Sequence, residues 1–350
     1  MLLAALLVLA APAGAPAALK VGIAETDPNL FADPLFTDLG LKHTRVVVSY
    51  DVMTSGDDEL QRVTDYLTGA LAAGIEPLVT FEHARGAAEQ CGKPRNRRKR
   101  QCRLPTARRY QREFKLLRKR FPLVRTYVAW NEINHVTQPT YRNPKAAARF
   151  ADIARRNCRG CRIVVADILD RADQTRAEKP RFRSTLRYIK AFRKALKSPR
   201  RFCGLHNYSD TNRFRDSGTR KIIKALGCRE IWLTETGGIY RFRSSGLNQS
   251  ASRQKRATTF MFRLARRFRS IRRLYVYTWF GAVTRRFDAG LVARGKPRPA
   301  YYELRRRLRL NCNCALRGRF GVPRRPSHRH NFHLDGLRST SMEEMPLLPA

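Results

Sequence analysis

Thr126-Tyr127-Val128-Ala129-Trp130-Asn131-Glu132 is an apolar, β-prone run that ends in an amide and a carboxylate. Further along, Ile231-Trp232-Leu233-Thr234-Glu235 repeats that design and is followed by Thr236-Gly237. Each run reads as a buried strand with a glutamate at its C-terminal end.

Working outward, strand-like runs recur along most of the chain: Lys20–Ala24, Arg45–Tyr50, Glu76–Phe81, Thr126–Trp130, Arg162–Ala166, Cys203–Asn207, Ile231–Thr234 and Leu274–Thr278. Helical patterns alternate with them. In Asp58–Ala73, apolar Leu60, Val63, Leu67, Ala70 and Leu71 recur at the helix period. Ala107–Arg120, Pro144–Arg156, Phe182–Leu196, Thr219–Leu226, Ser252–Phe268 and Ala300–Leu310 read likewise, while the link between the first two strands, around Phe31–Leu39, has no clear period. Alternation of this kind implies a parallel sheet, and strands that are continuous apolar runs imply one covered on both faces. Eight repeats predict an α/β fold closed as a (β/α)8 TIM barrel over residues 19–311. Such a barrel typically takes roughly 250 residues.

The ends of the chain stand apart. Met1–Ala18 is apolar and closes on the small residues Ala15-Pro16-Ala17-Ala18, so residues 1–18 read as a signal peptide and the protein as secreted. Pro12, Gly14 and Pro16 interrupt this run, and no later segment is long and apolar enough to read as a transmembrane span. Residues 318–350, rich in Pro, Arg, His and Ser, read as a disordered basic tail. Its histidines, His328, His330 and His333, are too loosely spaced to predict a metal site. Eight cysteines fit an oxidising compartment. Local spacing suggests Cys91 with Cys102, and Cys203 with Cys228 is a second candidate pair because both lie near the starts of adjacent strands. Cys158 and Cys161 form a lone C-x-x-C without the second pair that a zinc ribbon needs.

The net charge is +43, with an isoelectric point near 11.3. Such a surface adheres to polyanions at low salt, which would keep a secreted protein near an anionic wall. The arginines are scattered over almost every helix, however, and an arginine-rich coding bias produces the same scatter. The densest basic run, Arg95-Asn96-Arg97-Arg98-Lys99-Arg100, lacks the interleaved aromatics of single-strand binders, so no specific nucleic-acid partner is predicted. It lies in the loop Ala84–Pro105 after the third strand.

A barrel of this type carries its active site at the C-terminal ends of its strands. There the sequence places Asp51, Glu82 and His83, Asn131 and Glu132, Asp167, His206 to Tyr208, Glu235 and Trp279. Two carboxylates at such strand ends face each other across a pocket, the arrangement that cleaves a glycosidic bond.

On these residues the chain resembles, over about Leu19 to Leu310, the retaining glycoside hydrolases of clan A, the cellulase-like TIM-barrel superfamily. In that clan an Asn-Glu pair ends the fourth strand and a second glutamate ends the seventh. The resemblance implies Glu132 as acid/base and Glu235 as nucleophile. Arg45, His83, His206, Tyr208 and Trp279 match the accompanying residues in type and order, and Gly295–Tyr301 resembles the start of the last barrel helix. It further implies a polysaccharide or oligosaccharide substrate and no cofactor.

Physical chemistry adds expectations of its own. Glu132 must hold a proton, so burial and a neighbouring carboxylate should raise its pKa. Arg45 and Tyr208 should stabilise ionised Glu235, and Asn131 should bond the sugar 2-hydroxyl. Trp130 and Trp279 should offer apolar faces to a sugar ring. A non-catalytic basic barrel that binds anionic glycans, wall polymers or nucleic acid is the alternative raised by the charge alone.

Overall fold

The computed structural model describes residues 18–54, 56–171, 175–177, 179–242, 246–282 and 287–319. Eight parallel strands close into a barrel. They are β1 (Lys20–Ala24), β2 (His43–Ser49), β3 (Glu76–Glu82), β4 (Thr126–Val128), β5 (Arg162–Leu169), β6 (Phe202–His206), β7 (Glu230–Thr236) and β8 (Ile271–Tyr277). Each strand pairs with the next, and β8 returns to β1 with Tyr275 opposite Gly22, so the ladder has no open edge.

The long helices are α1 (Asp57–Ala72), α2 (Ala107–Arg120), α3 (Pro144–Asn157), α4 (Lys179–Ala195), α5 (Ser217–Leu226), α6 (Ala251–Arg267) and α7 (Pro299–Arg319). Side-chain oxygens of Thr106, Asn143 and Ser250 accept from free N–H groups at the starts of α2, α3 and α6, which fixes where those helices begin. Where the sequence shows no period, a 3-10 turn (Pro28–Ala32) and a four-residue helix (Pro34–Thr37) join β1 to β2.

The predicted barrel is the observed one, with local differences. β4 stops at Val128, short of Trp130, while β5 and β7 run past their predicted ends. α7 continues to Arg319, beyond the predicted Leu310 and into the stretch read as tail from Gly318. The predicted signal peptide (but for Ala18) and the rest of the tail with its histidines lie outside the described residues. Among the described residues, no helix is long and apolar enough to cross a membrane.

Apolar side chains form two layers. Ala24, Leu78, Val128, Val164, Phe202, Trp232 and Tyr275, one from each of seven strands, fill the barrel lumen. A much larger cluster lies between the strands and the helices. These side chains plug the lumen, with the Glu76, Arg162 and Arg273 ion pairs at the strand starts below them and the charge cluster at the strand ends above.

Cys91–Cys102 and Cys203–Cys228 are bonded as expected, and Cys158–Cys161 closes the turn between α3 and β5. The first of these straps the basic loop after β3. Arg100 then ties that loop to the barrel rim through Asp51, 2.7 Å away and fully buried. Asp51 is thus an anchor for the loop.

Candidate active site

Two local irregularities in the barrel aim the key side chains. Along β7, Trp232 faces the lumen and Leu233 faces the helices. Strict alternation would then point Glu235 outward. The register with β6 shifts between Trp232 and Glu235, however, so the strand carries one extra residue there. Such a bulge re-aims the side chains beyond it. Thr234 and Glu235 both turn inward, to Asp167 and Arg45 respectively.

β5 does the same. Its register with β6 shifts between Val164 and Asp167. Val165 and Ala166 both pack outward, and Asp167 enters the lumen fully buried. The facing residue on β6 is Gly204, where an added Cβ would collide with the Asp167 carboxylate and approach the Thr234 hydroxyl to 2.7 Å. The close approach requires glycine.

Glu132 reaches the mouth by a third device. It follows β4 with φ of 38°, left-handed backbone that a non-glycine residue adopts at a cost. Backbone bonds hold it on both sides: Asn131 N donates to Phe81 O at 2.7 Å, and Ile133 N donates to Asp167 O at 3.0 Å. Gly237 closes the β7 motif at φ of 151°, where a Cβ would meet Tyr277 O at 2.9 Å.

The result is a compact charge cluster. Arg45, buried on β2, donates to Glu235 Oε1 at 2.6 Å, Asp167 Oδ2 at 2.9 Å and Asn131 Oδ1 at 2.9 Å. Tyr208 OH donates to Glu235 Oε2 at 3.0 Å. His206 Nδ1 lies 2.9 Å from Glu132 Oε1 and 3.6 Å from Glu235 Oε2, and its Nε2 lies 3.3 Å from Asp167 Oδ2. His135 Nδ1 is 3.4 Å from the other Glu132 oxygen. One oxygen of Glu132, one of Glu235 and a nitrogen of His206 fall within 4.8 Å of one another. That spacing could hold a metal ion. Here Arg45 and His206 already supply the cations these carboxylates need.

Burial opposes a charged imidazole, but Glu235, Asp167 and Glu132 outweigh it and push His206 up to about 10. The ring is therefore protonated at neutral pH. Burial likewise pushes Glu132 up, yet the hydrogen bond and charge of His206 reverse the balance and hold it low. This corrects the expectation of a raised Glu132: the proton rests on the neighbouring ring instead.

Stability should depend on pH accordingly. His206 is raised in the folded state, so its contribution to stability is complete below its unfolded value near 6.5 and is lost as pH rises towards about 10. Denaturant titrations at intervals from pH 6 to 10 should show this loss in the wild type, with a flatter profile in His206→Asn. Identical profiles would contradict the assigned charge.

The cluster opens into a cleft of about 650 Å³, lined by Glu132, Glu235, Tyr208, Tyr277, Phe242 and Phe287 among others. Of the predicted residues, Arg45, Asn131, Glu132, His206, Tyr208 and Glu235 converge there. Trp130 and Trp279 do not. Because β4 ends at Val128, alternation lapses and both Ala129 and Trp130 pack outward. Trp130 stacks on Phe150 and donates Nε1 to Gln138. Trp279 lies beyond β8, edge-on to Phe36 and Tyr301, with Nε1 on Asp33. Both rings are fully buried and present no face to a sugar. The aromatic that ends β8 in the cleft is Tyr277.

His83 is buried beside Glu82, with Nδ1 2.8 Å from Ala84 O and Nε2 3.9 Å from Glu82 Oε2. It has no direct bond to the cluster. Glu82, in turn, accepts a long 3.5 Å bond from Asn131 Nδ2. Asp167 stands among the strand-end carboxylates of the sequence without an expected role, and His135 and Tyr277 are the residues the sequence reading missed. His135, three positions after Glu132, and Tyr277, the last residue of an apolar run, left signals in the sequence.

No curated protein matches the chain by sequence. Solved structures share the fold. A GH5_18 enzyme from Streptomyces cattleya, in complex with GlcNAc, superposes with a TM-score of 0.58 at 13% identity, covering 88% of this chain and 82% of that one. A β-glucosidase from Thermotoga maritima gives 0.54 at 13% identity, with 79% and 85% covered. A GH128 endo-β-1,3-glucanase from Amycolatopsis mediterranei gives 0.51 at 14% identity, with 82% and 99% covered. At these identities the likeness speaks for the barrel alone. Sequence goes further: the family model described as glycosyl hydrolase catalytic core matches residues 108–297, more than half of the chain and both strand-end glutamates. The chain belongs to the glycosyl hydrolase catalytic core family, whose name implies a carbohydrate substrate.

Proposed function

We propose that this protein is a secreted retaining glycosidase, with Glu235 as nucleophile and Glu132 as acid/base. The observation that carries the reading is the spacing of the two carboxylates, whose nearest oxygens lie within 4.8 Å. Double displacement needs carboxyl groups about 5–5.5 Å apart, whereas an inverting site leaves about 6.5–9.5 Å for a water.

Each step has its residues. Arg45 and Tyr208 each donate to one oxygen of Glu235, which holds the carboxylate aligned. It attacks the anomeric carbon as the bond to the leaving oxygen breaks. Glu132 gives that oxygen a proton. The proton reaches Glu132 across the 2.9 Å bond from His206 Nδ1, which leaves a neutral ring facing Asp167 and adds no net charge to the buried cluster. Once Glu235 is esterified, Glu132 takes a proton from water, which opens the ester. Asn131, fixed by Arg45, remains the group for the 2-hydroxyl, and Tyr208 and Tyr277 replace the two tryptophans as the aromatic walls. The three disulfides agree with export. Nothing in the site favours a purely binding role for the barrel: a binder gains nothing from burying this many charges.

The test is stereochemical. Reducing-end release is followed over a panel of neutral and acidic glycans, and the first sugar formed from any cleaved substrate is examined by proton NMR before mutarotation. Retention is expected; an inverted first product would exclude the covalent route.

A further inference from the structure

The cleft is asymmetric in charge. Beyond Glu132, it is lined by Arg171, Arg181 and Arg213. Arg171 and Arg181 also border an adjoining groove of about 570 Å³, to which Arg142, Tyr141 and Tyr188 belong. These positions come from different elements: Arg171 follows β5, Arg181 lies in the first turn of α4, Arg213 follows the short helix Tyr208–Asn212, and Arg142 ends a 3-10 turn. The tertiary fold, not one basic run, gathers them.

At the opposite end, a pocket of about 390 Å³ shares Tyr277 and Phe287 with the cleft and is lined by Glu25, Asp27 and Asp288. Two of those carboxylates are already engaged. Glu25 accepts from Thr278 and from the Trp279 and Phe280 amides, and Asp288 is held bidentately by Arg298.

The arginines are not engaged in this way. Among the described residues, none of Arg171, Arg181, Arg213 or Arg142 stands in an ion pair; Arg213 makes a 3.5 Å bond to the Ser209 hydroxyl, and Arg142 lies over the Tyr141 ring. Among the described residues the nearby acids are committed elsewhere: Glu132 to His206, Glu235 to Arg45, and Asp170 to the Ser209 and Asp210 amides. Burial and the charge of Arg181 together hold the Arg171 guanidinium below its ordinary value. Clustered guanidiniums with no ion-pair partner among the described residues, Arg171 half-buried and Arg181, Arg213 and Arg142 exposed, form a wall suited to an anion.

Their side of the cleft identifies what they meet. Glu132 protonates the leaving oxygen, so the leaving group lies against the residues that flank Glu132. The groove wall includes Asn134 and Val136, just past Glu132, together with Arg171 and Arg181. We infer that the leaving-group side of this site binds an acidic saccharide, one whose carboxylate or sulfate is taken by Arg171 and Arg181. This deepens the glycosidase reading and rests on its placement of Glu132.

The experiment measures binding, so that catalysis and specificity can fail separately. Glu235→Gln protein is titrated calorimetrically at physiological salt with hyaluronan oligosaccharides and their carboxyl-reduced derivatives. A second arm uses chondroitin sulfate oligosaccharides and their desulfated derivatives. At least one acidic form should bind about tenfold more tightly than its neutral partner or, in the second arm, its desulfated partner. The arm that shows this tells carboxylate from sulfate.

Adding R171Q/R181Q should bring the ratio near one. R263Q/R309Q, which removes equal charge from exposed positions on α6 and α7, should leave it unchanged. Equal loss in both double variants would assign the preference to net charge and overturn the inference, as would no acidic preference in either arm. An acidic preference that depends on Arg171 and Arg181, in a protein whose wild type cleaves no glycan, would sink the glycosidase reading and leave the anion site standing.

Discussion

Glu235→Ala is expected to lower turnover by at least about 10⁴-fold, because it removes the proposed nucleophile. The barrel should remain folded, since Arg45 keeps Asp167 and Asn131 as partners. The loss should be chemically specific. Azide fits the space the carboxylate vacates and can attack the anomeric carbon from the same face, giving a glycosyl azide of inverted configuration from any aryl glycoside the wild type cleaves. Glu132→Ala should behave differently. A good leaving group departs without a proton, so the first step persists, and azide then opens the glycosyl ester to give a product of retained configuration. Opposite products from the two variants would fix the two roles. Near-normal turnover in Glu235→Ala would remove the nucleophile assignment altogether.

The second large effect is on stability. Arg45→Met removes the cation shared by Glu235 and Asp167 from a site where the Arg45 side chain is 1% exposed and that of Asp167 0%. Breaking a buried pair by deleting one partner costs about 3–5 kcal/mol, because the remaining charges are left without compensation. His206 faces both carboxylates and softens the loss without replacing three donors. The denaturation midpoint should therefore fall steeply. Adding Asp167→Asn and Glu235→Gln to Arg45→Met should restore much of the loss, since the stranded charges disappear. If the triple variant is no more stable than the single one, packing of the Arg45 side chain, not charge, accounts for its role.

This cluster also marks how far the sequence could be read. The barrel was legible because each strand is an apolar run and each helix has its own period. Glu132 and Glu235 were legible because each ends such a run, and Arg45, Asn131, His206 and Tyr208 because they accompany those ends in order. Even two of the three disulfides were legible, one from local spacing and one from cysteines at the starts of adjacent strands.

The direction of side chains was another matter. Trp130 and Trp279 stand beside the site in sequence and face away from it in space, since the strands that carry them end before they are reached. Asp167 sits in an ordinary-looking run, and strict alternation from Val164 would send it to the helices. Its place between Arg45, His206 and Thr234 depends on one extra residue in β5, just as the aim of Glu235 depends on one in β7. The sequence by itself determined the barrel, the strand ends and the chemical types gathered there. Only the tertiary structure decided which of them face one another, because a bulge is a mismatch between neighbouring strands and has no signature in either strand alone.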